Sequence, residues 1–177
     1  MFNNQEKFSI KSNKPYYSNT SFTLTQKASR FWIPFDVKIF ETLTPLEYLE
    51  NYCRVSNRRY TIYKRIFDRH KDFEATLNIE NLPDALSDVY METIDMRLIT
   101  QVINLLDLSL NIRITFAQFR GIAAFSERYF FHISNRSNDI DPQLTKDIIE
   151  ILDFSSLEWK LTGVKISSIL RDILKFL

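Results

Sequence analysis

Oxygen-bearing side chains recur at short intervals in the stretch LLDLSLNIRITFAQF, which covers residues 105–119. In a 12-residue window that opens at Asp107, they hold the first, third, fifth, ninth and twelfth places. Oxygen ligands in this order are typical of a loop that wraps a Ca²⁺ ion, with a backbone carbonyl at the seventh place. The candidate metal ligands are therefore the side chains of Asp107, Ser109, Asn111, Thr115 and Gln118, together with the carbonyl of Arg113.

Two features that a Ca²⁺ loop normally has are missing from this window. The twelfth place usually carries a bidentate glutamate, whereas Gln118 is neutral and cannot offer two carboxylate oxygens. The sixth place normally carries a glycine, and Ile112 stands there instead. A β-branched residue strongly disfavours the positive φ of a sharp turn. The charges of Asp107 and Arg113 also cancel, so the window has no net charge. We therefore expect no bound metal and no cofactor. Ca²⁺ is the ion to test.

Helices must position this window. Leu98, Val102 and Leu106 before it have the spacing of one buried helical face. Thr44 and Pro45 mark the start of an earlier helix, and further helical patterns cover residues 57–67, 82–91, 94–106, 117–133, 141–152 and 164–176. The chain has only 2 glycines, which disfavours both a hairpin-rich β fold and glycine-rich nucleotide loops. We predict an all-α fold with very short strands inside its loops.

The pattern of helix, loop and helix occurs three times. Its loops cover residues 68–81, 107–118 and 153–165. Each loop contains one aliphatic residue, and these are Leu77, Ile114 and Leu161. A fourth, vestigial loop would cover residues 36–47, although Pro34 would break the helix that enters it. A repeat of this kind predicts similar units that pack against one another.

This repeat, over roughly residues 57–177, resembles the EF-hand of the calmodulin-like superfamily. The resemblance implies an EF-hand-like helical domain over residues 36–177, in which the aliphatic residues of twin loops pair across a short antiparallel β-bridge. It implies a degenerate member, because Lys165 ends the third loop and Asn81 ends a first loop that is two residues too long. Degenerate proteins of this kind resemble light chains, regulatory subunits and cytoskeletal or ciliary scaffold components, so the resemblance implies a cytoplasmic, cytoskeletal or ciliary location.

Composition argues against several classes of function. With 23 Lys and Arg against 22 Asp and Glu, no overall field directs the chain to nucleic acid or to a membrane. No apolar run approaches the ~20 residues that span a bilayer. The single cysteine, Cys53, cannot form an internal disulfide and so favours a reducing compartment such as the cytoplasm. His70 and His132 match no metalloprotease spacing, and no GxSxG motif occurs. We do not expect an enzyme.

Two regions are candidates for binding a partner. The first is the pattern FAQFRGIAAFSERYFFHI, in which the partner-binding residues would be Phe116, Phe119, Phe125, Phe130 and Phe131. These rings predict either a helix buried on two sides or a hydrophobic groove for a partner's amphipathic helix. The second region is an extended or mobile N-terminal arm, residues 1–35, where Tyr16 and Tyr17 would anchor the chain on a partner.

The leading hypothesis is therefore a non-catalytic, calcium-independent EF-hand-like adaptor or scaffold. Its partner would be another protein, either an amphipathic helix or the surface of a filament or complex. The first alternative is a regulatory Ca²⁺ sensor that works through the loop at Asp68 or at Asp107. The second alternative is a helical nucleic-acid-binding module, which predicts a basic stripe on one helix face. We do not expect nucleic acid as a partner, because the helices carry charges of both signs.

Overall fold

A computed structural model describes residues 29–91, 94–109, 111–135 and 148–177. This part of the chain is mostly helical, with two small antiparallel sheets. The strands are β1 (Ser29–Phe31), β2 (Cys53–Val55), β3 (Leu77–Asn78) and β4 (Arg113–Ile114). The α-helices are α1 (Pro45–Asn51), α2 (Asn57–His70), α3 (Leu82–Val89), α4 (Met96–Leu106), α5 (Phe116–Asn135), α6 (Ile148–Phe154), α7 (Leu157–Lys160) and α8 (Ser168–Phe176). The prediction of a helical fold with very short strands is confirmed at this level.

Helix α5 is the centre of the core. It packs against α1, α2, α4 and α8, and every residue from 121 to 128 is buried. A helix with apolar residues all around its surface is expected to be covered on more than one side. The closest approach is to α1, where Gly121 lies against the backbone of Leu49. In the described part of the chain, no helix combines the length and apolar character needed to cross a membrane.

The N-terminal end of the described chain belongs to the folded core. Strand β1 pairs antiparallel with β2, with Phe31 opposite Cys53, and the Phe31 side chain is buried. The sequence predicts an extended or mobile arm over residues 1–35, and β1 lies within this range. Its attachment to the core was not predicted, because the partner strand of three residues is too short to show a period. Residues 1–28 lie outside the described residues.

Local capping signals account for several of the helix starts. The Thr44 N–H donates to Glu47 Oε2 at 2.8 Å, and the Glu47 N–H donates to Thr44 Oγ1 at 3.2 Å. This reciprocal pair is the capping box that the sequence predicted at the start of α1. In the segment proposed as a fourth loop, the Asp36 side chain caps a 3₁₀ helix, Val37–Glu41. Residues 36–47 therefore contain helical turns as well as a loop.

The predicted helix ends differ from the structure mainly near the C-terminus. The pattern over 164–176 begins only at Ser168, because the Ser167 side chain accepts a hydrogen bond from the Leu170 N–H and caps α8 there. Before it, Gly163 has a φ of +80° and ends the preceding turn. The predicted helix over 141–152 is described from Ile148 onward as α6.

Candidate functional site

The first two helix–loop–helix units meet through their loops. Helices α2 and α3 flank the first loop, and α4 and α5 flank the second. Strands β3 and β4 pair antiparallel, with Leu77 opposite Ile114 and Asn78 opposite Arg113. Leu77 and Ile114 are the aliphatic residues that the repeat placed in these loops, and both are fully buried. The paired loops are thus held side by side by apolar burial as well as by backbone hydrogen bonds.

The candidate metal ligands of the second loop serve instead as helix caps or face solvent. Asp107 ends α4 in the left-handed conformation, with a φ of 47°. Ser109 and Asn111 are exposed. The Thr115 N–H donates to Gln118 Oε1 at 2.9 Å, and the Gln118 N–H donates to Thr115 Oγ1 at 3.3 Å. The ninth and twelfth places of the window therefore form a capping box at the start of α5.

The first loop carries acidic groups that already have partners. Asp72 Oδ1 accepts hydrogen bonds from the Thr76 and Glu74 backbone N–H groups, each at 3.0 Å. The guanidinium of Arg113 crosses from the second loop to contact the Asp72 carboxylate and lies 3.5 Å from Glu74 Oε2. The Thr76 N–H and, less strongly, Arg113 lower the pKa of Asp72. Arg113 was singled out from the sequence only for its carbonyl, so this contact between the loops was not predicted.

Asp68, the first place of the same loop, faces two lysines. Its Oδ1 lies 2.9 Å from Lys64 Nζ and 2.8 Å from Lys71 Nζ. These hydrogen bonds lower the pKa of Asp68. Among the described residues, no group of three or more histidine, cysteine and acidic side chains is placed to hold a metal ion. The absence of a cofactor stays a prediction, because backbone and hydroxyl oxygens also coordinate Ca²⁺.

The third loop, residues 153–165, is built differently. The short helix α7 lies inside it, and the described residues of this loop include no strand. The Lys160 ammonium donates to the carbonyl oxygens of Leu152 and Asp153, both at 2.7 Å. A cation therefore caps the C-terminal end of α6, where it also interacts favourably with the helix dipole. This copy of the repeat keeps its two helices but has no counterpart of the β3–β4 pairing.

Two substitutions at the boundary between α4 and the second loop test whether packing or a metal ion maintains this region. Glycine adopts the left-handed conformation of Asp107 without strain, so Asp107→Gly should leave the free energy of unfolding unchanged or raise it by up to about 1 kcal/mol. Leu106 is buried in the core, and Leu106→Ala should cost about 2–5 kcal/mol. Urea unfolding of both variants in chelating buffer measures this contrast. The opposite order would indicate that Asp107 is a structural ligand.

Three of the predicted partner-binding phenylalanines lie in the core. Phe119, Phe125 and Phe130 of α5 are each at most 2% exposed. A partner could contact these rings only if the surrounding helices separated. Of the two alternatives left open by the sequence, the described residues therefore match a helix buried on two sides.

The remaining predicted contact residues are placed as follows. Phe116 is partly buried, and its ring centroid lies 5.2 Å from that of Tyr60 and 5.4 Å from that of Phe67. The Lys64 ammonium lies 4.9 Å from the centroid of the same ring, which adds a cation–π contact. Phe116 therefore joins α5 to α2. Three predicted contact residues have side chains outside the described part of the chain: Tyr16, Tyr17 and Phe131.

A buried ion pair on α5 was not predicted. Arg128 Nη2 lies 2.7 Å from Glu150 Oε2, and both side chains are 2% exposed. The other Glu150 oxygen accepts a hydrogen bond from the Phe31 N–H at 2.8 Å. Burial lowers the pKa of Arg128, and the charge of Glu150 opposes that shift. One carboxylate therefore joins the central helix, α6 and β1.

Among the described side chains, Cys53 and His70 are the cysteine and histidine that could act as nucleophile or base. Burial raises the pKa of the Cys53 thiol to about 12, so it stays neutral and unreactive at physiological pH. His70 Nε2 lies 2.9 Å from Asp88 Oδ2, and this hydrogen bond, aided by Arg69, lowers the pKa of Asp88. That pair links the end of α2 to α3. The prediction that the chain is not an enzyme remains a prediction.

The chain was compared with models of known protein families, with well-characterised proteins and with solved structures. None of the three comparisons finds a match. The functional interpretation therefore rests on the geometry of the described residues.

The C-terminal helices carry an exposed aromatic residue. Trp159 is 78% exposed, and it borders a groove of about 420 Å³ together with Phe154, Ser156, Leu157, Glu158, Leu174, Lys175 and Leu177. An exposed aromatic ring beside apolar side chains is typical of surfaces that contact other proteins. The sequence analysis did not select Trp159, because its neighbours Glu158 and Lys160 give α7 the composition of an ordinary surface helix.

Proposed function

We propose that this protein is a non-catalytic, calcium-independent adaptor of EF-hand-like build, which binds another protein. The contact between Arg113 and the acidic groups of the first loop carries the proposal. It places a guanidinium from the second loop beside Asp72 and Glu74 of the first. A cation from the protein itself thus performs the charge neutralisation that a bound ion would otherwise supply.

Packing, more than this ion pair, maintains the paired loops. Arg113 is about half exposed, and ion pairs at such sites contribute only about 0–1 kcal/mol. Burying Leu77 and Ile114 contributes roughly 1.5–3 kcal/mol for each side chain. An EF-hand-like pair built in this way needs no ion to stay assembled. Its helix arrangement would then not depend on Ca²⁺, which suits a scaffold better than a sensor.

The adaptor role is further supported by the surface of the helical domain. Exposed apolar side chains lie on several elements, and they include Phe35, Phe73, Met91, Leu152 and Trp159. Single exposed apolar residues are common on any protein. Trp159 differs because it borders an apolar groove. The partner would bind this domain together with the N-terminal arm, at a cytoplasmic, cytoskeletal or ciliary complex.

Calorimetry with Ca²⁺ tests the proposal. We expect no heat of binding and no shift in Tm at millimolar Ca²⁺ relative to a chelating buffer, because the candidate ligands are used as caps and ion pairs. A site of micromolar affinity would instead stabilise the fold by about 4 kcal/mol at a thousandfold excess of ion. Mg²⁺ at the same concentration controls for general ionic effects.

A stabilisation specific to Ca²⁺ would overturn calcium independence and favour a regulatory sensor. Affinity capture from cell lysate, with and without chelator, is the companion experiment. The adaptor proposal expects the same retained proteins under both conditions. Retention that depends on Ca²⁺, or no specific retention at all, would count against it.

A further inference from the structure

Helix α2 has an unusual charge. Its 14 residues, NRRYTIYKRIFDRH, include five lysines and arginines and one acidic residue, so its net charge is +4 with histidine neutral, in a chain whose total is +1. The sequence analysis considered the helices to be of mixed charge and did not single out this one. A concentration of positive charge on one helix creates a local field that attracts anionic groups.

Several of these cations already have acidic partners. Lys64 lies 2.9 Å from Asp68, and Arg59 lies 3.3 Å from the buried carboxylate of Glu127. Arg69 pairs with Asp88 on α3. These contacts neutralise part of the helix charge and connect α2 to α3 and α5.

Two arginines of α2 differ from the others. Arg58 and Arg65 are exposed, and no ion pair within the described part of the chain includes either of them. Residues 58, 62, 65 and 69 follow helical spacing and lie along one face. We call this face the arginine stripe: Arg58, Ile62, Arg65 and Arg69. It is about 16 Å long at 1.5 Å per residue.

A groove lined by both charged and apolar side chains runs beside the stripe. Its volume is about 410 Å³, and it is lined by Ile62, Arg65, Ile66, Arg69, Asp88 and Met91. Met91 follows α3 and is 83% exposed. The surface therefore combines two arginines that have no acidic partner among the described residues with the apolar side chains of Ile62, Ile66 and Met91.

We propose that the arginine stripe and its groove bind an acidic amphipathic segment of a partner protein. This inference rests on the proposed adaptor function and names the chemistry of one contact surface. Carboxylates of the segment would pair with Arg58 and Arg65, since guanidinium groups bind carboxylates in a bidentate geometry. Apolar side chains of the segment would cover Ile62 and Met91, and the removal of this apolar surface from water would favour binding.

The same surface fits other partners less well. A purely apolar helix would bury Arg58 and Arg65 without counter-charges, which is costly. Duplex nucleic acid would offer phosphates to the arginines but nothing apolar to Met91. An acidic segment with an apolar face satisfies both parts of the surface.

A labelled synthetic peptide tests the inference through fluorescence anisotropy. The probe is a helical peptide with glutamates at positions i, i+7 and i+11 and leucines between them on the same face. Arg58→Glu/Arg65→Glu is the test variant, and Arg97→Glu/Lys165→Glu is its control. The control variant changes the net charge by the same amount as the test variant, but its substitutions are at exposed residues outside α2. We expect the wild type and the control to bind the peptide, and the test variant to bind at least tenfold more weakly with an unchanged Tm.

Any of the following results would overturn the inference. The first is no measurable binding of the acidic peptide to the wild type, or equal binding of a peptide with lysine in place of each glutamate. The second is an equal loss in the control variant, which would indicate a response to net charge alone. The third is that a 20-nucleotide oligodeoxythymidine binds the wild type and the control more tightly than the acidic peptide does, while the test variant alone loses this binding. That result would assign the stripe to nucleic acid.

Failure of this inference is distinguishable from failure of the adaptor proposal. If the test variant loses no peptide affinity but the wild type retains the same proteins with and without Ca²⁺, the adaptor proposal stands and the stripe is not its surface. If melting and retention depend on Ca²⁺, the adaptor proposal fails regardless of peptide binding.

Discussion

Gly121→Ala should destabilise the protein by about 3 kcal/mol, the upper part of the range for overpacked cores. A Cβ atom at this position would lie 2.2 Å from the carbonyl oxygen of Leu49 and 2.6 Å from its carbonyl carbon. Both atoms are backbone, so α1 as a whole would have to move away from α5. That movement would disturb Tyr48 and Leu49, which are fully buried. Chemical denaturation measures the loss.

The sign of this effect is informative. Inside a helix, alanine is normally favoured over glycine by about 0.5–1 kcal/mol, so Gly121→Ala would stabilise the protein if α1 were not in contact. Gly163→Ala is the control, because among the described residues no atom beyond its chain neighbours lies within 4 Å of the added Cβ. Its φ of +80° should cost only about 1 kcal/mol in strain. A stabilised Gly121→Ala variant would contradict the packing of α1 on α5.

Arg128→Met should cost about 3–5 kcal/mol, the range observed when one partner of a buried ion pair is removed. Methionine fills much of the space of the arginine stem, but it leaves the Glu150 carboxylate buried without its counter-charge. Since Glu150 also accepts the hydrogen bond of the Phe31 N–H, attachment of β1 should weaken as well. Urea unfolding measures the loss of free energy, and amide hydrogen exchange at Phe31 reports on the strand.

A double variant separates lost charge pairing from lost packing. Arg128→Met/Glu150→Gln removes the buried charge while the amide oxygen can still accept from the Phe31 N–H. It should therefore be more stable than Arg128→Met alone, by at least about 1 kcal/mol. Equal stability of the two variants would show that the carboxylate was not the source of the loss. A cost below about 1 kcal/mol for Arg128→Met itself would indicate that water reaches Glu150.

Features that depend on neighbouring residues were predictable from the sequence. The Thr44–Glu47 capping box and most helix positions follow from side chains three or four residues apart. The repeat also singled out Leu77 and Ile114, and the structure pairs them across β3 and β4. The window at Asp107 was predicted to lack the groups for a metal site. Its EF-hand-like origin remains an interpretation of the same residues.

Features that join distant parts of the chain were not predictable. Nothing near Arg128 in the sequence indicates Glu150 as its partner, and nothing near Phe31 indicates that an arm residue enters the core.

The roles of α5 and Gly121 depended on the tertiary structure in the same way. A phenylalanine-rich helix can either line a groove or be covered on both sides, and its own periodicity is the same in both cases. Only the packing of α1, α2, α4 and α8 on α5 decided that Phe119 and Phe125 are covered. Gly121 gave no local signal, because its function is to admit the backbone of another helix. The sequence by itself thus determined most of the helices and their caps, since these depend on short-range chemistry. The tertiary structure decided which helix faces meet and which charges pair, since these depend on long-range packing.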